Sequence, residues 1–343
     1  MTTIYSVDPL RDPRWAQFVE KHPRASVFHT PGWLEALRRT YAYQPVALTT
    51  SAPDQALDNG LVFCRIDSFL TGRRLVSLPF ADHCEPLFEN PDDLIPVLGH
   101  LQQGLREAKW KYIELRPRTW SWEAYEASQA FYLHTLDLSP EIGQLLRSFH
   151  KDSVQRKIRR TEREGLIYEE GRSAELLDKF YRLLLLTRRR HGLPPQPRDW
   201  FRNLMASLGE SFKVRVASKE GEPIASIITL RHRDVLVYKY GCSDPRFHKL
   251  GGVALLFWKA IQEAKQDGLN EFDLGRSDHD NPGLVTFKEH WGAARSTLAY
   301  FRCPARARQT IDERYAPLAR RLFARMPDGL LTLAGRLLYR HIG

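Results

Sequence analysis

No stretch of this 343-residue chain approaches the roughly 18 consecutive apolar residues that a spanning helix needs, so a membrane-embedded protein is excluded on length. Cysteine is scarce: Cys64, Cys84, Cys242 and Cys303 are scattered, with no C-x-x-C pair and no histidine at zinc-ligand spacing. That rules out a disulfide scaffold or a zinc ribbon, and reduced thiols in a cytosol are expected. The stretch Met1 to Trp15 carries Asp8, Arg11, Asp12 and two prolines but no apolar run of signal-peptide length, so cytoplasmic residence is the expectation. Long low-complexity tracts are missing too. With 43% hydrophobic and 27% charged residues, the composition is that of an ordinary globular protein and excludes global disorder.

What the chain has in excess is positive charge. Lysine plus arginine exceed aspartate plus glutamate by 51 − 41 = +10, which implies attraction to phosphates, nucleic acid or an anionic lipid face. The length favours two domains over one hydrophobic core.

Pro13 to Lys21 and Pro31 to Tyr41 read as short helices opened by a first-turn proline. Pro45 to Thr50, Gly60 to Asp67 and Arg74 to Leu78 are short apolar runs bounded by turn residues, the pattern of an antiparallel meander. Pro91 to Lys109 returns to helical spacing and delivers a strand at Tyr112 to Arg116. The same order then repeats. A strand at Leu133 to Leu138 leads to the helix opening Ser139-Pro140-Glu141, a basic helix at Lys151 to Glu164 and an amphipathic one at Ser173 to Arg190. After a short helix at Trp200 to Leu208, three strands follow at Phe212 to Ser218, Pro223 to Leu230 and Val235 to Gly241. They lead into a helix at Gly251 to Gln266, a strand at Glu271 to Leu274, a helix at Pro282 to Trp291 and a strand at Thr297 to Phe301. This predicts an α/β chain of the α+β type: domains at 1–140 and 141–303, then an Arg-rich helical tail at 304–343.

The strongest local signal is Tyr240-Gly241-Cys242 followed by Leu250-Gly251-Gly252-Val253, a strand ending in a loop with paired glycines at a helix start. Backbone N–H groups and the helix dipole at such a place favour an anion such as a pyrophosphate, although glycines there also serve plain packing. Phe272-Asp273-Leu274-Gly275-Arg276-Ser277 reads as a buried strand with polar groups at its end, and Asp273 suits either a proton acceptor or a structural cap. Lys288 stands between Phe287 and Trp291, placed either to polarise a donor or to point to solvent. Arg156, Arg160 and Arg163 form a stripe that suits phosphates or a solvated face. Asp82, His83, Cys84 and Glu85 cluster in one loop, an acceptor-site lining or a polar surface loop, without the third confirming ligand a metal would need. The tail sets Leu318, Leu322, Leu330, Leu331, Leu337 and Leu338 among arginines, which fits a helix covering a domain or one lying on an anionic membrane.

In order and spacing, Tyr240-Gly241, Leu250-Gly251, Phe272 to Ser277 and Phe287-Lys288-x-x-Trp291-Gly292-Ala293 resemble the second domain of the FemAB-like branch of the GNAT acetyltransferase superfamily. The likeness covers about 145–302, and Phe28-His29-Thr30-Pro31-Gly32-Trp33-Leu34 is similar to the family's opening helix. This resemblance implies two tandem GNAT-like domains with mixed, mostly antiparallel sheets. It also implies transfer of an acyl or aminoacyl group to an amine of a cell-envelope precursor, as in peptidoglycan aminoacyl transfer.

Carried onto this sequence, the resemblance makes Lys288 the motif lysine near the transfer centre and puts Gly251 and Gly252 at the pyrophosphate loop. Asp273 and Tyr240, at strand ends facing the presumed groove, are the further catalytic candidates, and His248, Lys249 and Arg276 the further donor-binding ones. The polar loop and the arginine stripe make Asp82, His83, Glu85, Arg156 and Arg160 the acceptor-side candidates, and no metal and no tightly bound cofactor are expected. The donor expected is acyl-CoA or aminoacyl-tRNA. His248-Lys249-Leu250-Gly251-Gly252-Val253 departs from the family's Q/R-x-x-G-x-G/A pyrophosphate loop at both ends, which tilts the expectation away from CoA. Two other readings stay open: an acetyl-CoA enzyme for a small amine, and a non-catalytic phosphate- or RNA-binding module on the same fold. A lipid-linked acceptor would place the protein on the inner face of an anionic membrane.

Overall fold

Two compact units emerge in a computed structural model that describes residues 2–119, 127–304 and 316–343. One comprises Met1–Ala130, Leu298–Asp312 and Arg336–Gly343, the other Phe131–Thr297 and Glu313–Gly335. The first unit begins with β1 (Tyr5–Val7) and two capped helices. Asp12 accepts from the Arg14 amide at the head of α1 (Pro13–Lys21), and Thr30 from the Trp33 amide at the head of α2 (Pro31–Tyr41). These helices bury Trp15, Trp33 and Leu37 completely. β1, β2 (Gln44–Thr49), β3 (Leu61–Ile66) and β4 (Arg74–Val76) pair antiparallel in that order. α3 (Leu94–Glu107) then crosses over, and β5 (Tyr112–Leu115) joins β4 in parallel. Leu94, Val97 and Leu101 pack with Phe63, Leu75 and Ile113 as the core of this unit.

The second unit carries the sheet order β6 (Gln129–Asp137), β11 (Glu271–Ser277), β10 (Val235–Ser243), β9 (Glu222–His232), β8 (Phe212–Lys219) and β7 (Ile167–Gly171). Every neighbouring pair is antiparallel except β10 and β11. On one face Leu236, Phe272 and Leu274 pack with α4 (Ile142–Ser148), α5 (Arg156–Arg163) and α8 (Gly252–Gln266), beside Trp291, the residue that ends α9 (Pro282–His290). On the other, Tyr240 meets Phe201 of α7 (Arg198–Leu208), which in turn meets Phe180 of α6 (Ala174–Arg190). β12 (Ala294–Cys303) follows, then α10 (Ala316–Arg325) and α11 (Asp328–Ile342). No helix among the described residues is long and apolar enough to cross a membrane.

Several features differ from the sequence expectation. Local pattern put all of 141–303 in one domain, but from Leu298 the last strand belongs to the first unit, where Phe301, Arg302 and Cys303 pair with Leu115, Glu114 and Ile113. Partners so distant in the chain leave no local mark. The basic helix opens with a wide π turn over Lys151–Gln155 before α5 begins, and the tail is two helices. β7 escaped the pattern because it is an edge strand whose Glu169 and Glu170 are paired with Lys179 and Lys213.

Candidate active site in the second unit

Strands β10 and β11 run parallel but pair only over Val235, Leu236 and Val237 against Glu271, Phe272 and Asp273. Beyond that point both are irregular: β10 shifts register on β9 between Tyr238 and Tyr240, and β11 shifts on β6 between Asp273 and Arg276. After β10, Asp244 caps the turn Pro245–Leu250 by accepting from the Arg246 amide at 2.9 Å. Gly251 then takes φ +85°, a left-handed conformation that strains any residue with a Cβ. Space is tight as well: a Cβ there would lie 3.1 Å from Thr161 Cγ2 and 3.3 Å from the Lys157 carbonyl. At Gly252 a Cβ would lie 3.1 Å from the Ala225 side chain. The glycine pair thus lets the first turn of α8 settle against α5 and β9 with its unbonded N–H groups and positive dipole end leading.

That turn borders a cavity of about 620 Å³. Gly251 to Ala254 form one wall, and Ser153 and Lys157 approach from the α5 side. Ser243 and His248 close a second side, Thr286 and His290 of α9 a third, while Val154, Phe287 and Trp291 give it apolar walls. Among the described residues no carboxylate lines it. His248 Nε2 lies 3.0 Å from Ser243 Oγ, and His290 stacks on His150 with ring centroids 4.1 Å apart. Partial desolvation lowers the pKa of His248, and Arg190 and Lys157 add to the effect. Desolvation, His150 and Lys157 lower that of His290. Both imidazoles are thus depressed chiefly by desolvation, with the nearby positive groups adding to it and Asp244 and Glu289 opposing it. Trp291 is sealed between Phe149 and Phe257, each at a ring distance of 5.1 Å.

Of the residues singled out from sequence, Gly251, Gly252 and His248 line this cavity. Lys249 and Arg276 do not, and the Arg276 guanidinium lies 4.3 Å from the centroid of the Phe131 ring. The expected convergence of Lys288 on the glycine cavity is not what the geometry shows. Its buried ammonium donates to the Gly275 and Arg276 carbonyls, each at 2.8 Å, and so closes the irregular end of β11. Asp273 is a cap within the same strand end, its Oδ1 accepting from the Gly275 amide at 2.7 Å. Tyr240 lies on the opposite face, where its hydroxyl accepts from the Trp200 indole at 2.8 Å. Arg156 is exposed one residue before the cavity-lining Lys157, and Arg160 pairs with Glu164 at 2.9 Å.

In the first unit, Glu85 is buried and accepts from the Thr119 amide at 3.0 Å and from the Arg118 amide. His83 is buried with its ring 5.3 Å from that of Phe28, and the Asp82 carbonyl accepts from Tyr300. Among the described residues no three His, Cys, Asp or Glu side chains converge as a metal would need. Sequence reasoning missed Lys157, Thr286 and His290. The signal was present: Gly283, Thr286 and His290 are spaced three and four apart, one helical stripe.

A glycine-opened helix beside a parallel strand pair fits the GNAT class of fold, and the comparisons with known proteins point to it. Residues 148–289 match the family described as the acetyltransferase (GNAT) domain. The structure superposes on the crystal structure of FemX with a TM-score of 0.64 at 14% identity, covering 84% of this chain and 95% of that one. It superposes on a tandem GNAT protein from the clavulanic acid biosynthesis pathway with a TM-score of 0.53 at 11% identity, covering 88% and 98%. Both likenesses establish the tandem GNAT fold. In sequence, 157 residues are 28% identical to the UDP-N-acetylmuramoylpentapeptide-lysine N(6)-alanyltransferase of Weissella viridescens. They represent 45% of this chain and 43% of that protein, so the match spans less than half of the curated relative. Residues of the second unit therefore match the acetyltransferase (GNAT) domain, and part of the chain is similar in sequence to a Fem-type alanyltransferase.

Proposed function

We propose that the protein is an acyltransferase that moves an acyl or aminoacyl group from an activated donor to an amine of a cell-envelope precursor or polysaccharide. One observation carries the reading: in the GNAT-matching unit, the N-terminus of α8, opened by Gly251 and Gly252 and flanked by Lys157, faces a cavity that no carboxylate among the described residues lines. The anionic part of a donor is held there by N–H groups and positive charge. The amine nitrogen attacks the acyl carbonyl carbon, the C–N bond forms, the bond to the carrier breaks and the amine proton passes to water. Gly251, Gly252, His248 and Lys157 bind the donor. Lys288 is a positioning residue that holds the end of β11 through two carbonyls.

Acyl-CoA and aminoacyl-tRNA both fit as co-substrates. The aminoacyl donor is favoured by the alanyltransferase relative and by His248 and Val253 standing where the family's pyrophosphate loop has Gln or Arg and a small residue. For that donor, Arg156 and Arg160 extend the positive surface beside Lys157. A lipid-linked acceptor would put the work at the inner face of a membrane. Purified protein incubated with UDP-N-acetylmuramoyl-pentapeptide and either alanyl-tRNA or acetyl-CoA should give an acceptor heavier by one acyl group with one donor. Transfer should fall about a hundredfold in Gly251→Val. No product and no saturable binding with either donor overturns the proposal, and retention of RNA alone would favour a binding module.

A further inference from the structure

The two terminal helices repeat one surface pattern that the fold does not use. Leu318-Ala319-Arg320-Arg321-Leu322-Phe323-Ala324-Arg325 in α10 and Leu333-Ala334-Gly335-Arg336-Leu337-Leu338-Tyr339-Arg340 in α11 share L-A-x-R-L-x-x-R. In each, two leucines four residues apart sit on one stripe, and the two arginines that follow them by three residues border it on the same side.

Burial does not account for the stripe. Leu318 and Leu322 are 68% and 60% exposed, and Leu333 and Leu337 are 49% and 61% exposed. The packing side of α11 is a different one: Leu331 is fully buried, and Gly335 lies against the Pro195 carbonyl. Nor are the bordering arginines occupied, since Arg321, Arg325, Arg336 and Arg340 form no ion pair among the described residues. The acidic residue of α11, Asp328, is taken up by Arg189. Within the first unit the stripe continues. His341 follows Leu337 by one turn, its ring lies 4.7 Å from that of Phe69, and Ser68 Oγ holds its Nδ1 at 2.9 Å. Phe69 is 87% exposed and is followed by the exposed Leu70.

We propose that these stripes, with the Phe69-Leu70 tip, dock the protein on an anionic phospholipid surface. Leucine and phenylalanine enter the acyl boundary, while the neighbouring arginines reach back to the headgroup phosphates. A cationic border beside an exposed apolar stripe complements a membrane of negative surface charge. An RNA partner would use the arginines but leave the leucines and Phe69 unemployed. The inference rests on the transferase reading only in that a lipid-linked acceptor gives docking a purpose, and its test does not measure transfer.

Full-length protein is sedimented with vesicles of phosphatidylcholine alone and of equal parts phosphatidylcholine and phosphatidylglycerol. It should bind the second and not the first, with affinity falling as salt rises. Reversing four charges (Arg321→Glu, Arg325→Glu, Arg336→Glu and Arg340→Glu) should weaken binding by about tenfold or more. A neutral variant (Leu318→Ser, Leu322→Ser and Phe69→Ser), with every charge kept, should weaken it comparably. All these positions are exposed, so both variants should fold and keep wild-type transfer to a soluble acceptor without vesicles. Three results would each overturn the proposal. They are equal binding to both vesicles, no binding to either, and a leucine-dependent self-association or tRNA retention in place of vesicle binding.

Discussion

In sequence, the loop at Asp82 to Glu85 of the first unit resembles the surroundings of Gly251 in the second unit, each a knot of polar residues after a strand. They differ in where their hydrogen bonds go. Glu85 is spent on the backbone of Arg118 and Thr119, and the Asp82 carbonyl on Tyr300. Such groups have little left to offer a ligand. Around Gly251 the balance is reversed: a helix end presents unbonded N–H groups, and Lys157 and Thr286 line open space with no hydrogen bond from their side chains among the described residues. Polar residues are structural where their partners lie within the fold and binding elements where they do not, and residue type alone does not separate the two.

The comparison breaks most visibly at Gly251. Gly251→Val forces a β-branched residue into φ +85° and pushes its methyl groups into Thr161 and the Lys157 carbonyl, so α8 must shift from α5. A displacement of that kind should cost about a hundredfold in kcat/KM for transfer. Wild-type kcat/KM would show that the head of α8 is not the donor site. Glu85→Ala tests the other side. It should lower stability by about 2 kcal/mol in urea unfolding by leaving the Arg118 and Thr119 amides without their acceptor, and it should not move the donor KM. A changed KM with unchanged stability would turn that loop into a binding element.

Lys157→Ala should raise the donor KM about tenfold with kcat preserved, since it removes one charge from the anion end and leaves the strand ends intact. Arg160→Ala, on the same helix, should do less, because Arg160 is already paired with Glu164. Equal effects would mean that the whole stripe, and not the cavity edge, meets the donor.

Much of this architecture was legible because it is written in local chemistry. Prolines at helix starts, turn residues between short apolar runs and the glycine pair before Val253 each act within a few residues. The glycine end of the site was found for that reason. Lys288 was not placed correctly. A lysine between two aromatic anchors has the pattern of a functional group, yet its ammonium is consumed by carbonyls freed where β11 shifts on β6, an irregularity no sequence pattern announces. Lys157 does not stand out in sequence among the arginines of the same helix. Only the packing of α5 on Gly251 selects the lysine. The strand that ends in the first unit and the partition of the tail depend on contacts between distant parts of the chain, and these are invisible to periodicity.

The smallest effect separates binding from stability by pH. His248 and His290 both have pKa values below the ordinary histidine value, lowered by desolvation and by the positive groups that face them. For His248 these are Arg190 and Lys157, partly offset by Asp244; for His290 they are His150 and Lys157, partly offset by Glu289. Buried His134 is lowered further, to about 4, by desolvation and by Lys288. Because the unfolded chain takes up these protons first, stability is fully present above the ordinary histidine range and is lost as pH falls below it. Donor affinity has the opposite slope. Protonating His248 or His290 adds charge beside the α8 N-terminus, so the KM of an anionic donor should fall severalfold from pH 8 to pH 6 while the urea midpoint also falls. His248→Asn should flatten the KM profile and leave most of the stability profile, which His134 shares. If KM instead rose with acid, the cavity would be holding a cationic or neutral group at that end, and the contrast with the first unit would have to be redrawn.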